Sequence, residues 1–188
     1  RETIIESMQQ WAESLRGWEI SNPELSEVPQ GIILTGASGT GKTTVANLLA
    51  KDGNCELISV TPGKIKSPLV GQSVQNLQSV FADAIGQAPA VILFDEIEAI
   101  LPRRDEQLGD PTTVEVINQF LQEFDRLSSE SGVIVIGTSN RPQQIDPAVL
   151  SRLATRIEVP LPTVEQREQM LEYFLTENQT RVIKLGVD

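Results

Sequence analysis

The octapeptide Gly36-Ala37-Ser38-Gly39-Thr40-Gly41-Lys42-Thr43 constrains this chain more than any other feature. It fits the pattern G-x-x-x-x-G-K-[S/T]. The apolar run Ile32-Ile33-Leu34 precedes it, and a helical stretch from Gly41 to Lys51 follows. Strand, glycine-rich turn and helix, in that order, is the context in which this pattern cradles phosphate. The glycines let backbone N–H groups turn inward, and the helix N-terminus adds positive potential. Lys42 then places its ammonium near the β- and γ-phosphates of a nucleotide, and the Thr43 hydroxyl is placed to ligate Mg²⁺.

The rest of the chain supplies a framework for such a loop. Ile4, Met8, Trp11 and Leu15 recur at helical spacing. Strands are predicted at Ile32 to Leu34, Glu56 to Val60, Val91 to Phe94, Val133 to Ile136 and Ile157 to Val159. Between them lie helical patterns at Val74 to Ile85, with residues 74, 77, 81 and 85 on one face, and at Thr112 to Leu127, with Ile117, Phe120, Leu121 and Phe124 on one face. A short helix is predicted at Pro147 to Leu153. Thr163 to Gln166 reads as a capping box opening a last helix, with Met170, Leu171 and Phe174 inward. Apolar strands separated by helices indicate a parallel sheet covered on both faces.

Val91-Ile92-Leu93-Phe94 runs into Asp95-Glu96. Paired acids at the end of a strand buried on both faces belong at the carboxyl edge of the sheet, where ligands bind in open α/β folds. There Asp95 would hold Mg²⁺ through its water shell, and Glu96 would polarise an attacking water as general base. A solvated turn between strand and helix is the alternative, and the phosphate loop upstream favours the chemical reading.

Composition excludes other chemistries. The chain has no histidine, which removes His-based triads and His-ligated metals, and its single cysteine, Cys55, cannot form an internal disulfide. Cys55 sits in an apolar run and reads as a structural thiol. A net charge of -11 leaves no broad basic surface and weighs against nucleic acid as the main partner. No stretch approaches the roughly 20 apolar residues of a membrane helix. An intracellular, reducing, cytoplasmic setting is the expectation. A targeting or membrane segment could lie outside this sequence, which opens inside a helical pattern at Arg1.

Further motifs stand in order along the chain: Val70-Gly71-Gln72-Ser73, Phe94-Asp95-Glu96-Ile97-Glu98, Leu101-Pro102-Arg103-Arg104, Asn118-Gln119-Phe120-Leu121, Gly137-Thr138-Ser139-Asn140-Arg141-Pro142 and Ile145-Asp146-Pro147-Ala148-Val149-Leu150. Together with the phosphate loop they resemble the AAA family of ATPases over about residues 23 to 162. The segment Ala148 to Pro162 is similar to the subgroup containing spastin and katanin.

The resemblance implies a P-loop NTPase fold, with a parallel five-stranded sheet between helices. Residues 1–162 would be the large nucleotide-binding domain, and 163–188 the start of a helical lid or a tail. It implies Mg-ATP hydrolysis by a ring subunit, in the full-length protein a hexamer, that remodels protein substrates. An ATPase acting on nucleic acid or a nucleotide-dependent scaffold are the alternatives. ATP would contact Gly36, Ala37, Ser38, Gly39, Thr40, Gly41, Lys42, Thr43 and Thr44. Asn140 would be a polar sensor between water and γ-phosphate, or else a loop asparagine. Arg152 would reach a neighbour's ATP, or else serve its own helix C-terminus, and Arg156 is the second candidate. Leu69 occupies the place of the family's pore aromatic, and Glu98 that of its usual Asp. Val114-Glu115 replaces a pair of arginines, which puts the usual subunit contacts in doubt.

Overall fold

Five parallel strands form one sheet in the order β2-β3-β4-β1-β5: β1 (Gly31–Thr35), β2 (Glu56–Val60), β3 (Ala90–Phe94), β4 (Val133–Ser139) and β5 (Thr155–Glu158). The expected α/β architecture is therefore present. The computed structural model describes residues 2–18, 28–67, 69, 71–104, 110–128 and 131–168. Helices accompany the sheet among these: α1 (Glu2–Arg16), α2 (Lys42–Asp52), α3 (Pro62–Ile65), α4 (Gln72–Gly86), α5 (Ile97–Ile100), α6 (Pro111–Arg126) and α7 (Pro147–Arg152).

The period-2 alternation of strands sorts the core into two layers. Ile32, Leu34, Val91, Leu93, Ile134 and Ile136 point to the side that α1 and α2 cover, with Leu15, Ala46 and Leu49. Ile33, Ile92, Phe94, Val133 and Val135 point to the other side, against α4 and α6. There Phe81, Phe94 and Phe120 pack edge-on or tilted, with centroids 5.4–6.3 Å apart. Burying each such ring contributes about 1.5–3 kcal/mol.

Several boundaries differ from the sequence reading. On α4 the buried residues are Ser73, Leu77, Phe81 and Ala84, while Ile85 is exposed, because 85 has rotated past the edge of the stripe. β4 runs three residues past Ile136, and β5 begins two residues before Ile157. Parallel hydrogen bonding to β1, from Ile33↔Gly137 to Thr35↔Ser139, carries the polar end of β4 into the ladder. The capping box forms: Thr163 N–H donates to Gln166 Oε1 (3.0 Å) and Gln166 N–H to Thr163 Oγ1 (3.3 Å). Met170, Leu171 and Phe174, like most of the segment 163–188, lie outside the described residues.

Candidate functional site

The register places the site. Thr35 pairs with Ser139 and Phe94 with Gly137, so the phosphate loop leaves β1, and Asp95 leaves β3, on either side of the end of β4. Strands lie about 4.8 Å apart, so Thr138 stands between the loop and the acids, one strand from each. Sheet order alone thus brings together segments about fifty and a hundred residues apart in the chain.

A cavity of about 350 Å³ opens at this carboxyl edge. Ser38, Gly39, Gly41, Lys42, Thr43, Thr44, Asp95, Glu96, Glu98, Thr138, Ser139 and Asn140 line it. Gly36, Ala37 and Thr40 belong to the same loop but are not among the lining residues. Gly36 has φ 148°, and a Cβ there would sit 2.3 Å from the Val159 carbonyl oxygen, so only glycine lets β1 turn so close to the chain beyond β5. Gly41, at φ 91°, starts α2 in the left-handed region. Lys42 Nζ donates to the carbonyls of Gly36 (3.0 Å) and Ala37 (2.8 Å), which anchors the ammonium inside the loop with a third proton to give.

Opposite the loop, Asp95 Oδ1 accepts from Thr43 Oγ1 (3.1 Å) and from Thr138 Oγ1 (2.5 Å). Glu96 N–H donates to Thr138 Oγ1 at 3.2 Å. Thr138, 1% exposed, therefore orients the aspartate and fixes the backbone of the next residue with one hydroxyl. Glu96 itself sits at φ 52°, in a left-handed conformation that costs a non-glycine residue about 1–3 kcal/mol. That turn aims its exposed side chain at the cavity. Glu98 Oε2 is buried in the same lining without a hydrogen-bond partner. Asn140 follows β4 directly and is exposed to the cavity.

The donor set fits a hydrated Mg²⁺. The described residues contain no group of three or more His, Cys, Asp or Glu able to enclose a metal. Mg²⁺ needs none: it takes one or two carboxylates and completes its shell with water and phosphate oxygens. Thr43 and Asp95 are already in contact across the cavity, and the unpartnered Glu98 oxygen adds negative potential beside them.

Arg152, Arg156 and Leu69, singled out in the sequence, are not among the residues that line this cavity. Arg152, at the end of α7, forks onto Asp125 of α6, with Nε to Oδ1 at 3.1 Å and Nη2 to Oδ2 at 2.9 Å. These hydrogen bonds hold the Asp125 carboxyl below its ordinary range and raise Arg152 above its own. Arg156 is exposed on β5. Leu69 is 66% exposed, so it does not pack beneath its own loop. Its N–H donates to Ser67 Oγ at 3.2 Å. Cys55 is half-buried, and burial pushes its thiol up to about 11, which keeps it protonated at neutral pH.

Thr138 had no role in the sequence reading. The apolar run of the strand ends at Ile136, and Gly-Thr-Ser reads as a turn until the register is known. Thr138→Val keeps the shape and removes both hydrogen bonds, leaving the Glu96 N–H and one Asp95 contact unmet. The expected result is a loss of about 1–3 kcal/mol in urea unfolding at neutral pH.

The chain's similarities agree with this geometry. The family model described as "ATPase family associated with various cellular activities (AAA)" matches residues 32–161. The chain is 35% identical over 176 residues to the ribosome biogenesis ATPase RIX7 of Saccharomyces cerevisiae, covering 90% of this chain and 21% of that protein. It is 37% identical over 146 residues to fidgetin-like protein 1 of Drosophila melanogaster, covering 77% of this chain and 28% of that protein. It is also 37% identical over 165 residues to the cell division cycle protein 48 homolog of Archaeoglobus fulgidus, covering 84% and 22%. Such near-equal identities to different branches do not single out the spastin and katanin subgroup. The chain spans 21–28% of the length of these relatives, and over that span it belongs to the AAA family of ATPases.

Proposed function

We propose that this domain binds Mg-ATP and hydrolyses it as one subunit of a ring, in the full-length protein a hexamer, that remodels protein substrates. The observation that carries the reading is a cavity in which the phosphate loop faces Asp95, Glu96 and Asn140 across Thr138. Residues 1–162 make the large nucleotide-binding domain in this reading, and 163–188 are the start of a helical lid or a C-terminal tail.

The residues divide the work. Loop N–H groups and Lys42 hold the β- and γ-phosphates, and Thr43 and Asp95 would hold Mg²⁺. That ion supplies neutralisation of charge on the phosphate oxygens. The Glu96 carboxylate accepts a proton from the attacking water as its oxygen bonds to the γ-phosphorus and the bond from that phosphorus to the bridging oxygen breaks, releasing ADP and phosphate; Asn140 orients that water by hydrogen bonding. The guanidinium of Arg152, supplied by a neighbour, compensates the charge that develops on the transferring phosphoryl group.

Protein as the substrate class is supported by the acidic balance of the chain. Two relatives are named a ribosome biogenesis ATPase and, at 34% identity over 167 residues, an outer mitochondrial transmembrane helix translocase of Bos taurus. A reducing, intracellular setting is part of this reading, the ordinary one for a domain whose one cysteine is free. No helix of the described residues is long and apolar enough to cross a membrane.

The ring is tested by mixing subunits of the full-length protein. Arg152→Ala should bind ATP within about threefold of wild type and hydrolyse it at least about tenfold more slowly. Adding Lys42→Ala subunits should restore part of the phosphate release, because the intact loop of one mutant then faces the intact arginine of the other. If both mutants assemble and mixing restores nothing, Arg152 does not act in trans.

Leu69 gives a separate test of substrate contact. An exposed leucine grips only by apolar area, less than an aromatic ring would offer. Leu69→Ala should lower remodelling of a protein substrate several-fold while basal ATPase survives, and Leu69→Tyr should preserve or raise it. Unchanged remodelling by an intact Leu69→Ala ring would remove this loop from the mechanism.

A further inference from the structure

Among the described residues Asp146 is the only fully buried charged side chain, at 1% exposure. Both its oxygens are used. Arg104 donates to it twice, Nε to Oδ2 at 2.7 Å and Nη2 to Oδ1 at 3.1 Å, and the Ala148 N–H donates to Oδ1 at 2.9 Å. The last bond caps the start of α7. A buried carboxylate is costly unless paired, so Arg104 is what allows an aspartate at this cap.

Arg104 also reaches sideways: its Nη1 donates to Asn118 Oδ1 of α6 at 3.3 Å. At the far end of α7, Arg152 forks onto Asp125 of the same helix α6. Asn118 and Asp125 are seven residues apart, and Asp146 and Arg152 six. At 1.5 Å per residue these are spans of about 10 and 9 Å. The two helices are thus tied at both ends over matched lengths.

The backbone completes the link. Arg103 N–H donates to the Gln144 carbonyl (2.6 Å), Asp146 N–H donates to that of Leu101 (3.1 Å), and Pro102 and Ile145 form an antiparallel bridge. The stretch from Leu101 to Arg104 leaves α5, which begins just after Glu96. One short segment therefore connects the acidic edge of the nucleotide cavity to the root of the helix that carries Arg152.

We propose that Arg104 is a positioning residue for Arg152: through buried Asp146 it fixes the start of α7, and so the place at which the terminal arginine is presented to a neighbouring copy. This rests on the reading of Arg152 given above. A misplacement of about 1 Å at a reacting centre costs on the order of a hundredfold in rate, so a loosened α7 is felt in a neighbour's site rather than in its own.

The test uses the full-length, assembling protein. Arg104→Ala strips the buried carboxylate of its counter-charge, so Arg104→Lys, which keeps the charge and loses the fork, is measured beside it. Both should bind ATP within about threefold of wild type. Phosphate release should fall at least about tenfold in Arg104→Ala and a few-fold in Arg104→Lys. Activity should return on mixing either variant with Lys42→Ala, as it does for Arg152→Ala, and should not return on mixing with Arg152→Ala. Where Arg104→Ala does not fold, Arg104→Lys decides. Full phosphate release in the assembled variants would overturn the proposal. So would a loss that Lys42→Ala does not relieve while the Arg152→Ala reference mixture recovers, since the defect would then lie in the variant's own site. A reference mixture that itself recovers nothing removes the trans role of Arg152, and this proposal with it.

Discussion

Replacing Glu96 with glutamine is expected to lower the rate of ATP hydrolysis by about 10²- to 10⁴-fold while leaving ATP binding near the wild-type level. The amide keeps the size and the hydrogen-bonding reach of the carboxylate but cannot take a proton from water. The left-handed turn at residue 96 and the bond from its N–H to Thr138 do not depend on the side chain, so the site's architecture should survive. Melting temperature and nucleotide affinity should therefore change little as turnover collapses. Turnover within a few-fold of wild type would show that another group serves as base.

Lys42→Ala should act on the other half of the cycle. The Lys42 ammonium is seated by two carbonyls of its own loop, 2.8 and 3.0 Å away, and among the described residues is the only cationic side chain in the cavity lining. Removing it leaves nucleotide phosphates against the carboxylates of Asp95, Glu96 and Glu98 with backbone dipoles alone to oppose them. Loss of one partner of a close charge pair costs about 2–5 kcal/mol, which is roughly 30-fold to several thousand-fold in Kd. Equal ATP affinity of Lys42→Ala and wild type, measured by titration calorimetry, would refute the loop's assignment.

The two motifs that define the cavity were legible because their chemistry is local. The phosphate loop is a contiguous strand, turn and helix, and the acid pair ends a contiguous apolar run. The sheet was legible for a related reason: strands buried on both faces carry unbroken apolar sequence. What escaped depends on register. Thr138 acts only because β4 lies between β1 and β3, and neither its neighbours nor its spacing in the chain reports that. The pairs Arg104–Asp146 and Arg152–Asp125 join residues 42 and 27 positions apart, across helix contacts that no periodicity encodes. Ile85 failed for a simpler reason. A stripe drawn from residue 74 drifts as it lengthens, and by the last turn of α4 the buried position has passed to Ala84.

In the proposed cycle one cavity first holds Mg-ATP and then cleaves it with Glu96. A single-turnover experiment on the full-length protein tests this most directly, with the nucleotide extracted from the protein after incubation with Mg-ATP. Wild type should yield ADP and phosphate, Glu96→Gln should yield intact ATP at near-full occupancy, and Lys42→Ala should yield almost no nucleotide. Intact ATP recovered from wild type, or ADP formed by Glu96→Gln at the wild-type rate, would contradict the account.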